Sequence, residues 1–103
     1  MNSADQLILK AANLLEEQED VEGALEALHE AVLLSQLAGH TLQLIRAKTF
    51  LGELLAGIDQ PHESVKEFRD VVRLAESFTE DATLVDEELA AARKWLADLP
   101  PEH

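Results

Sequence analysis

Apolar residues recur along this chain at intervals of three and four, which is the spacing of amphipathic α-helices, and no segment alternates as a strand would. The pattern predicts five helices. The first begins at Asn2-Ser3, where Ser3 stands in capping-box spacing to Gln6. The second runs from about Val21 to Ala38, with Asp20 as its N-cap and Gly39 as a left-handed stop.

The remaining three helices are marked by similar signals at their ends. Thr41 is expected to cap the third helix, which stops at Gly57. Pro61 fits the first turn of the fourth helix, since a proline lacks only an N–H that is unpaired there anyway. The fifth helix is expected from about Ala82 to Leu96 or Asp98. Short links between helices favour antiparallel packing of neighbours.

The helical pattern is repeated after 40 residues, because residues 23–34 and 63–74 place small and large apolar side chains in the same slots. A helical pattern repeated at such a period is typical of stacked helical hairpins. The small residue of the first helix and that of the second are separated by 12 positions in both copies, Ala12 to Ala24 and Gly52 to Ser64. Small residues at these points let two helices approach closely.

These residues resemble the tetratricopeptide repeat family, whose signature has bulky and small residues on the first helix and small, aromatic and small residues on the second. The first copy has Ile8, Ala11-Ala12, Leu15, Ala24, Leu28 and Ala31, and the second has Lys48, Leu51-Gly52, Leu55, Ser64, Phe68 and Val71. Ala91-Ala92 and Trp95 continue the period. The fifth helix would then be the first helix of a third unit, left unpaired as a cap.

The chain also departs from the family pattern. Its period is 40 residues instead of roughly 34. Lys48 and Glu88 stand where the first bulky residue is expected, and no proline ends each repeat. The resemblance implies an all-α fold of two antiparallel, tetratricopeptide-like hairpins and a C-terminal capping helix in a right-handed α-solenoid. We expect one domain over residues 1–99 and a frayed tail over residues 100–103.

The resemblance further implies a binding face on the first helix of each hairpin. By register, the groove residues that would contact a partner are Gln6, Leu9, Asn13, Glu16, Arg46, Thr49, Glu53, Asp86, Leu89 and Arg93. The alternative is an ordinary solvated face. Arg46 and Arg93 could grip an acidic side chain of the partner or pair with Glu53 and other neighbouring acids.

The resemblance allows one specific ligand to be rejected. Chaperone-binding members hold a C-terminal carboxylate with lysine, arginine and asparagine side chains. The corresponding residues here are Leu9, Asn13, Phe50, Asp86 and Ala90, of which only Asn13 matches. Because Asp86 would repel a terminal carboxylate, we expect no clamp of this kind.

Charge and composition narrow the function further. The net charge of −13 over 103 residues argues against nucleic-acid and anionic-membrane binding, since phosphates would be repelled. It permits a basic partner or imitation of DNA, but the acids fall mostly on predicted solvated helix faces, where they are expected simply to keep a small domain soluble. With no cysteine, there is no disulfide or thiolate metal site. We see no signal peptide and no apolar run long enough to span a bilayer, so we expect a soluble, cytoplasmic protein.

No catalytic or cofactor motif can be recognised. The four histidines, His29, His40, His62 and His103, are not spaced as zinc ligands, and the carboxylates form no calcium-binding loop. There is no Ser/His/Asp grouping and no glycine-rich phosphate loop. We therefore expect a protein that is not an enzyme and binds no metal or cofactor.

The expected function is a small protein–protein interaction module that holds a peptide or helix on the face of helices one, three and five. Two alternatives remain open. Trp95 is expected to close the core against helix four; its alternative role is in an exposed apolar end of the stack that could form a homodimer. The acidic surface could also act as a DNA mimic that occupies a basic protein.

Overall fold

The structure, a computed structural model that describes residues 2–99, consists of α-helices, with no strand in that range. The elements are α1 (Ser3–Gln18), α2 (Val21–Ala38), α3 (Thr41–Gly57), α4 (Pro61–Glu76), a 3-10 turn (Ala82–Val85) and α5 (Asp86–Asp98). Adjacent helices pack in pairs, which confirms the predicted all-α fold. The expected frayed tail, residues 100–103, lies outside the described residues.

Local turn chemistry sets the helix ends, as predicted, at three points. The Asp20 side chain accepts a hydrogen bond from the Gly23 backbone N–H at 2.9 Å and so caps α2. Gly39 ends α2 with a φ of 72°, a conformation that glycine adopts without strain. Pro61 is the first residue of α4.

Three other helix ends differ from the prediction. Asn2, one residue before Ser3, caps α1 by accepting a hydrogen bond from the Asp5 backbone N–H at 2.8 Å. Thr41 is the first residue of α3 and does not cap it; His40 precedes it without a side-chain bond to the helix. Asp81 begins a 3-10 turn ahead of α5, because its carboxylate accepts from both the N–H and the hydroxyl of Thr83.

The spacing of 12 between small residues marks a close approach of helices in the second hairpin, whereas Ala12 of the first is half-buried and lines a surface depression. In the second hairpin, a Cβ placed on Gly52 would lie only 2.9 Å from the Phe68 ring. The Ser64 hydroxyl donates to the Gly52 carbonyl at 2.7 Å. Both groups are buried, so this bond joins α3 to α4 without leaving a polar atom unpaired.

The core forms three connected clusters along the stack. The first joins α1, α2 and α3 around Leu28, Leu51 and Leu55. The second joins α3, α4 and α5 around Phe68. A third, made of Ala4, Ala31 and Ala47, lets α1, α2 and α3 meet at short range. Each pair of helices therefore shares its core with the next helix along the chain.

The last helix closes the second cluster through its aromatic residue. The rings of Trp95 and Phe68 are stacked, with centroids 5.9 Å apart and planes 7° apart. This confirms the prediction that Trp95 completes the core against α4. The uncovered end of the stack is consequently not marked by an exposed tryptophan.

The packing face of α5 is not the one that a strict third repeat would use. Helix α3 packs Ala47 against Ala31 of α2, and the residue 40 positions later, Glu87, is exposed. Val85 and Ala92 are buried instead, in the cluster around Phe68. They lie 40 positions after Ile45 and Gly52, which α3 buries against Phe68 of α4. The last helix and the turn before it therefore meet α4 with the positions that α3 uses toward α4, and not with those that α3 uses toward α2.

Candidate functional site

The predicted groove residues fall mostly on the surface of the helical stack. The exposed ones are Gln6, Leu9, Asn13, Glu16, Arg46, Glu53, Asp86 and Arg93. Leu89 is half-buried. Two surface depressions bring some of them together, Leu9 with Arg46 in one and Leu9 with Gln6 and Asn13 in the other.

A shallow apolar depression lies between α1 and α3. Ile8, Leu9 and Ala12 of α1 line it, with Asp5 and Arg46 at its polar side. Leu9 is 51% exposed, so apolar surface is left open to solvent here. A second depression, along α1 itself, brings Leu9 together with Gln6 and Asn13. Leu9 is therefore the residue shared by both.

Thr49 does not lie on this surface, contrary to its expected position in the groove. Its side chain is buried, and its hydroxyl donates to the Ile45 carbonyl one turn earlier at 2.8 Å. A threonine in a helix commonly satisfies its hydroxyl in this way. Thr49 thus belongs to the interior of the stack in this structure.

Arg46 lies where α3 faces both α1 and α5. It forms no ion pair within residues 2–99, and its charge acts on the carboxyl of Glu88 in α5. Burial raises the pKa of the Glu88 carboxyl, Arg46 opposes the rise and the neighbouring Glu87 adds to it. Arg46 therefore keeps its guanidinium donors available on the surface.

Arg93 pairs with a neighbouring acid, one of the two outcomes expected from the sequence, whereas Glu53 has a partner that the sequence did not suggest. The Arg93 guanidinium lies 3.2 Å from the Glu76 carboxylate of α4, and both side chains are exposed. Glu53 accepts a long hydrogen bond from the Trp95 indole N–H at 3.4 Å. Exposed pairs of this kind contribute little stability. The ion pair with Glu76 does, however, hold the Arg93 side chain toward α4.

The lysine that interrupts the repeat pattern lies in a partly buried ion cluster that sequence reasoning missed. The side chain of Lys48 is 8% exposed, and its ammonium lies 3.1 Å from Glu67 and 2.9 Å from Asp70. Arg73 pairs with Asp70 from the outside at 3.2 Å. The signal was available, because a lysine in an apolar slot requires acids on the helix that packs against it.

Electrostatics keep the Lys48 amine charged. Burial alone lowers its pKa, but the hydrogen bond to Asp70 and the charge of Glu67 outweigh burial and raise the pKa above 10.5. Burial likewise raises the pKa of Asp70, and the hydrogen bond and charge of Lys48 overcome that and lower it below 3.8. A protonated amine is not a nucleophile, so the cluster has a structural character.

We expect the Lys48–Asp70 pair to produce a pH-dependent stability term. Because the folded pKa of Asp70 is lowered, its contribution is complete above the ordinary value of 3.8 and is lost as the pH falls toward the folded value. Because that of Lys48 is raised, its contribution is complete below 10.5 and is lost as the pH rises through the folded value.

Urea unfolding of the wild type and of Asp70→Asn over a pH series should measure the acid-side term as a difference between the two proteins. That difference should shrink on acidification below the ordinary pKa of aspartate. Asp98→Asn, which changes an exposed carboxylate of α5 that has no ion pair among residues 2–99, is the control. Equal pH dependence for both variants would contradict the assignment to Asp70.

The described residues show neither a metal centre nor a membrane segment. Between Asn2 and Leu99, no group of three or more histidine or carboxylate side chains is arranged to hold a metal ion. None of the described helices combines the length and the apolar character needed to cross a bilayer. His103 lies outside the described residues.

Comparison with known proteins does not identify the chain. No profile of a known protein family, no curated protein and no solved structure matches it. Any assignment of function therefore depends on the surface and core described above.

Proposed function

We propose that this chain is a small, non-enzymatic interaction module of the tetratricopeptide-like type, and that it holds a peptide or helix of a partner protein on the face of α1, α3 and α5. The observation that carries the proposal is the open apolar depression around Leu9, with the unpaired Arg46 beside it. Exposed apolar surface next to a few polar groups is typical of such docking faces.

The depression provides the two kinds of contact that a peptide site needs. Ile8, Leu9 and Ala12 offer an apolar floor for one anchoring side chain. Arg46 offers a forked donor for a carboxylate or carbonyl of the partner, and Asn13 adds an amide close to Leu9. The helices form a rigid frame through shared clusters, so binding would require little reorganisation of the module.

The two alternatives make different use of the surface. A homodimer through the end of the stack would need apolar area on α5, where the outward positions Ala90, Arg93, Lys94 and Ala97 are small or charged. A DNA mimic would depend on the total charge and not on Leu9. Neither is favoured by a specific observation, so both serve as outcomes of the experiment. We further propose that the helices form a right-handed solenoid and that the protein is located in the cytoplasm.

A selection from a displayed peptide library, followed by titration of the enriched peptide, tests the proposal. Leu9→Ser and the double variant Asn13→Ala with Arg46→Glu should each weaken binding at least about tenfold, because they remove the apolar anchor or reverse the charge beside it. Their circular dichroism and unfolding curves should match the wild type, since these side chains are exposed.

Lys94→Glu is the matched control, because it makes the same charge reversal on an exposed position of α5. It should bind like the wild type. Binding that disappears with added salt but survives the groove substitutions would instead support an acidic mimic. Light scattering that shows a concentration-dependent dimer would support self-association.

A further inference from the structure

The outer face of α2 carries the two most exposed large apolar side chains of the described residues. Leu33 is 54% exposed and Leu37 is 77% exposed. They are one helical turn apart, so they form a single apolar ridge near the end of α2. This ridge is separate from the groove, which is built from α1, α3 and α5.

The same face is acidic over the preceding turns. Glu22, Glu26 and Glu30 are all exposed and follow one another at intervals of four residues. With Leu33 and Leu37, they occupy an arc of about 80° around the helix, since each residue advances by about 100°. We call this set of five residues the α2 face.

The charges of the α2 face are not compensated within the described chain. None of its three glutamates forms an ion pair within residues 2–99, and α2 contains no lysine or arginine. Like charges one turn apart on a helix repel each other and destabilise it. A partner that brought positive charge to these positions would remove that repulsion.

We propose that the α2 face is a second docking surface, and that its occupant is a basic amphipathic helix of another protein. Lysine or arginine side chains of that helix would meet Glu22, Glu26 and Glu30, and apolar side chains beyond them would cover Leu33 and Leu37. The face extends over 15 helical steps, or about 22 Å, which a helix of roughly the same length would cover.

Charge complementarity selects this occupant over the others. A second copy would bring its own net charge of −13 and its own glutamates against this face. Nucleic acid and anionic lipid would be repelled for the same reason. The apolar ridge also distinguishes a bound helix from nonspecific attraction of cations to an acidic surface. A cation alone would gain nothing from contact with Leu33 and Leu37. The proposal is independent of the groove.

The probe for the test is a labelled synthetic helix of roughly 15 residues. It carries three lysines at intervals of four and then two leucines at the same interval; a second peptide has the reverse order, to allow for either direction of packing. Fluorescence anisotropy at low and moderate salt measures the affinity. A peptide with alanine in place of both leucines is the probe control, and we expect it to bind at least about tenfold more weakly.

Substitutions in the protein give the decisive comparison. Leu33→Ser with Leu37→Ser should weaken binding at least about tenfold, since both contacts are lost. Glu22→Gln, Glu26→Gln and Glu30→Gln together should weaken binding and flatten its salt dependence. The matched control, Asp59→Asn with Glu80→Gln and Asp98→Asn, changes the net charge equally at exposed sites elsewhere and should stay within about twofold of the wild type.

Three outcomes would overturn the proposal. One is that the matched control variant weakens binding of the probe helix as much as the triple glutamate variant of the α2 face does. Another is wild-type affinity in the double leucine variant. The third is a wild-type dimer in sedimentation that Leu37→Ser dissociates, which would assign the face to a second copy. Leu9→Ser should leave binding of this probe unchanged, so failure here and failure of the groove remain distinguishable.

Discussion

Phe68→Ala should lower the free energy of unfolding by about 3–5 kcal/mol, the range for removing a fully buried aromatic side chain. Phe68 is completely buried and is packed closely on two sides, by Gly52 of α3 and by the stacked ring of Trp95 of α5. The cavity would therefore open between three helices at once. Since small domains have only about 5–15 kcal/mol of stability, the variant should be largely unfolded well below the wild-type Tm.

The matching control for Phe68→Ala is Phe50→Ala, which makes the same truncation at a half-buried residue of the first cluster. Thermal unfolding followed by circular dichroism should show a clearly smaller shift in Tm for Phe50→Ala. Tryptophan fluorescence should report on Phe68→Ala directly, because Trp95 is the single tryptophan. A similar loss in both variants would argue against Phe68 as the centre of the second cluster.

Lys48→Ala should lower the free energy of unfolding by about 3 kcal/mol, which is the second large effect that we expect. The substitution removes the cation that neutralises Glu67 and leaves a largely buried carboxylate without a partner. Its Oε2 atom already has no hydrogen bond within residues 2–99, so Lys48 is the main compensation for that charge. Chemical denaturation at neutral pH measures the loss.

A double variant separates the charge of the pair from the shape of the side chains. Lys48→Met with Glu67→Gln keeps comparable volume and removes both charges, so it should recover most of the lost stability. Lys66→Ala, at an exposed position of α4, should change stability by about 0.5 kcal/mol or less. If Lys48→Ala behaves like Lys66→Ala, the ion cluster is not a determinant of stability.

The features that sequence alone predicted well are those decided by local chemistry. Asp20, Gly39 and Pro61 act through their own side chains or backbone angles, and each lies where its residue type implies. The spacing of small residues also predicted the close approach of α3 and α4 at Gly52 and Ser64. In both cases the information is contained within a few residues or within one repeat, so no knowledge of the whole fold is needed.

The features that sequence alone missed depend on neighbours that the repeat does not describe. Thr49 occupies a groove position by register, yet its side chain is buried. Lys48 breaks the apolar pattern, and only the arrangement of α3 on α4 shows that Glu67 and Asp70 compensate it. Arg93 pairs with Glu76 of α4, an acid that the repeat pattern does not single out. Register assigns positions on a helix but cannot supply the rotation of that helix in the fold.

The contact of α5 with α4 has a consequence for how the protein could change in length. Repeat proteins commonly grow by tandem duplication, which requires the terminal unit to present the same contact surface as every internal unit. Here Val85 and Ala92 are already buried against the second hairpin. A copy of the unit joined after α5 would therefore meet the wrong side of that helix. A copy inserted between α2 and α3 would meet surfaces that already pair, so an engineered or evolved longer form should gain its units there.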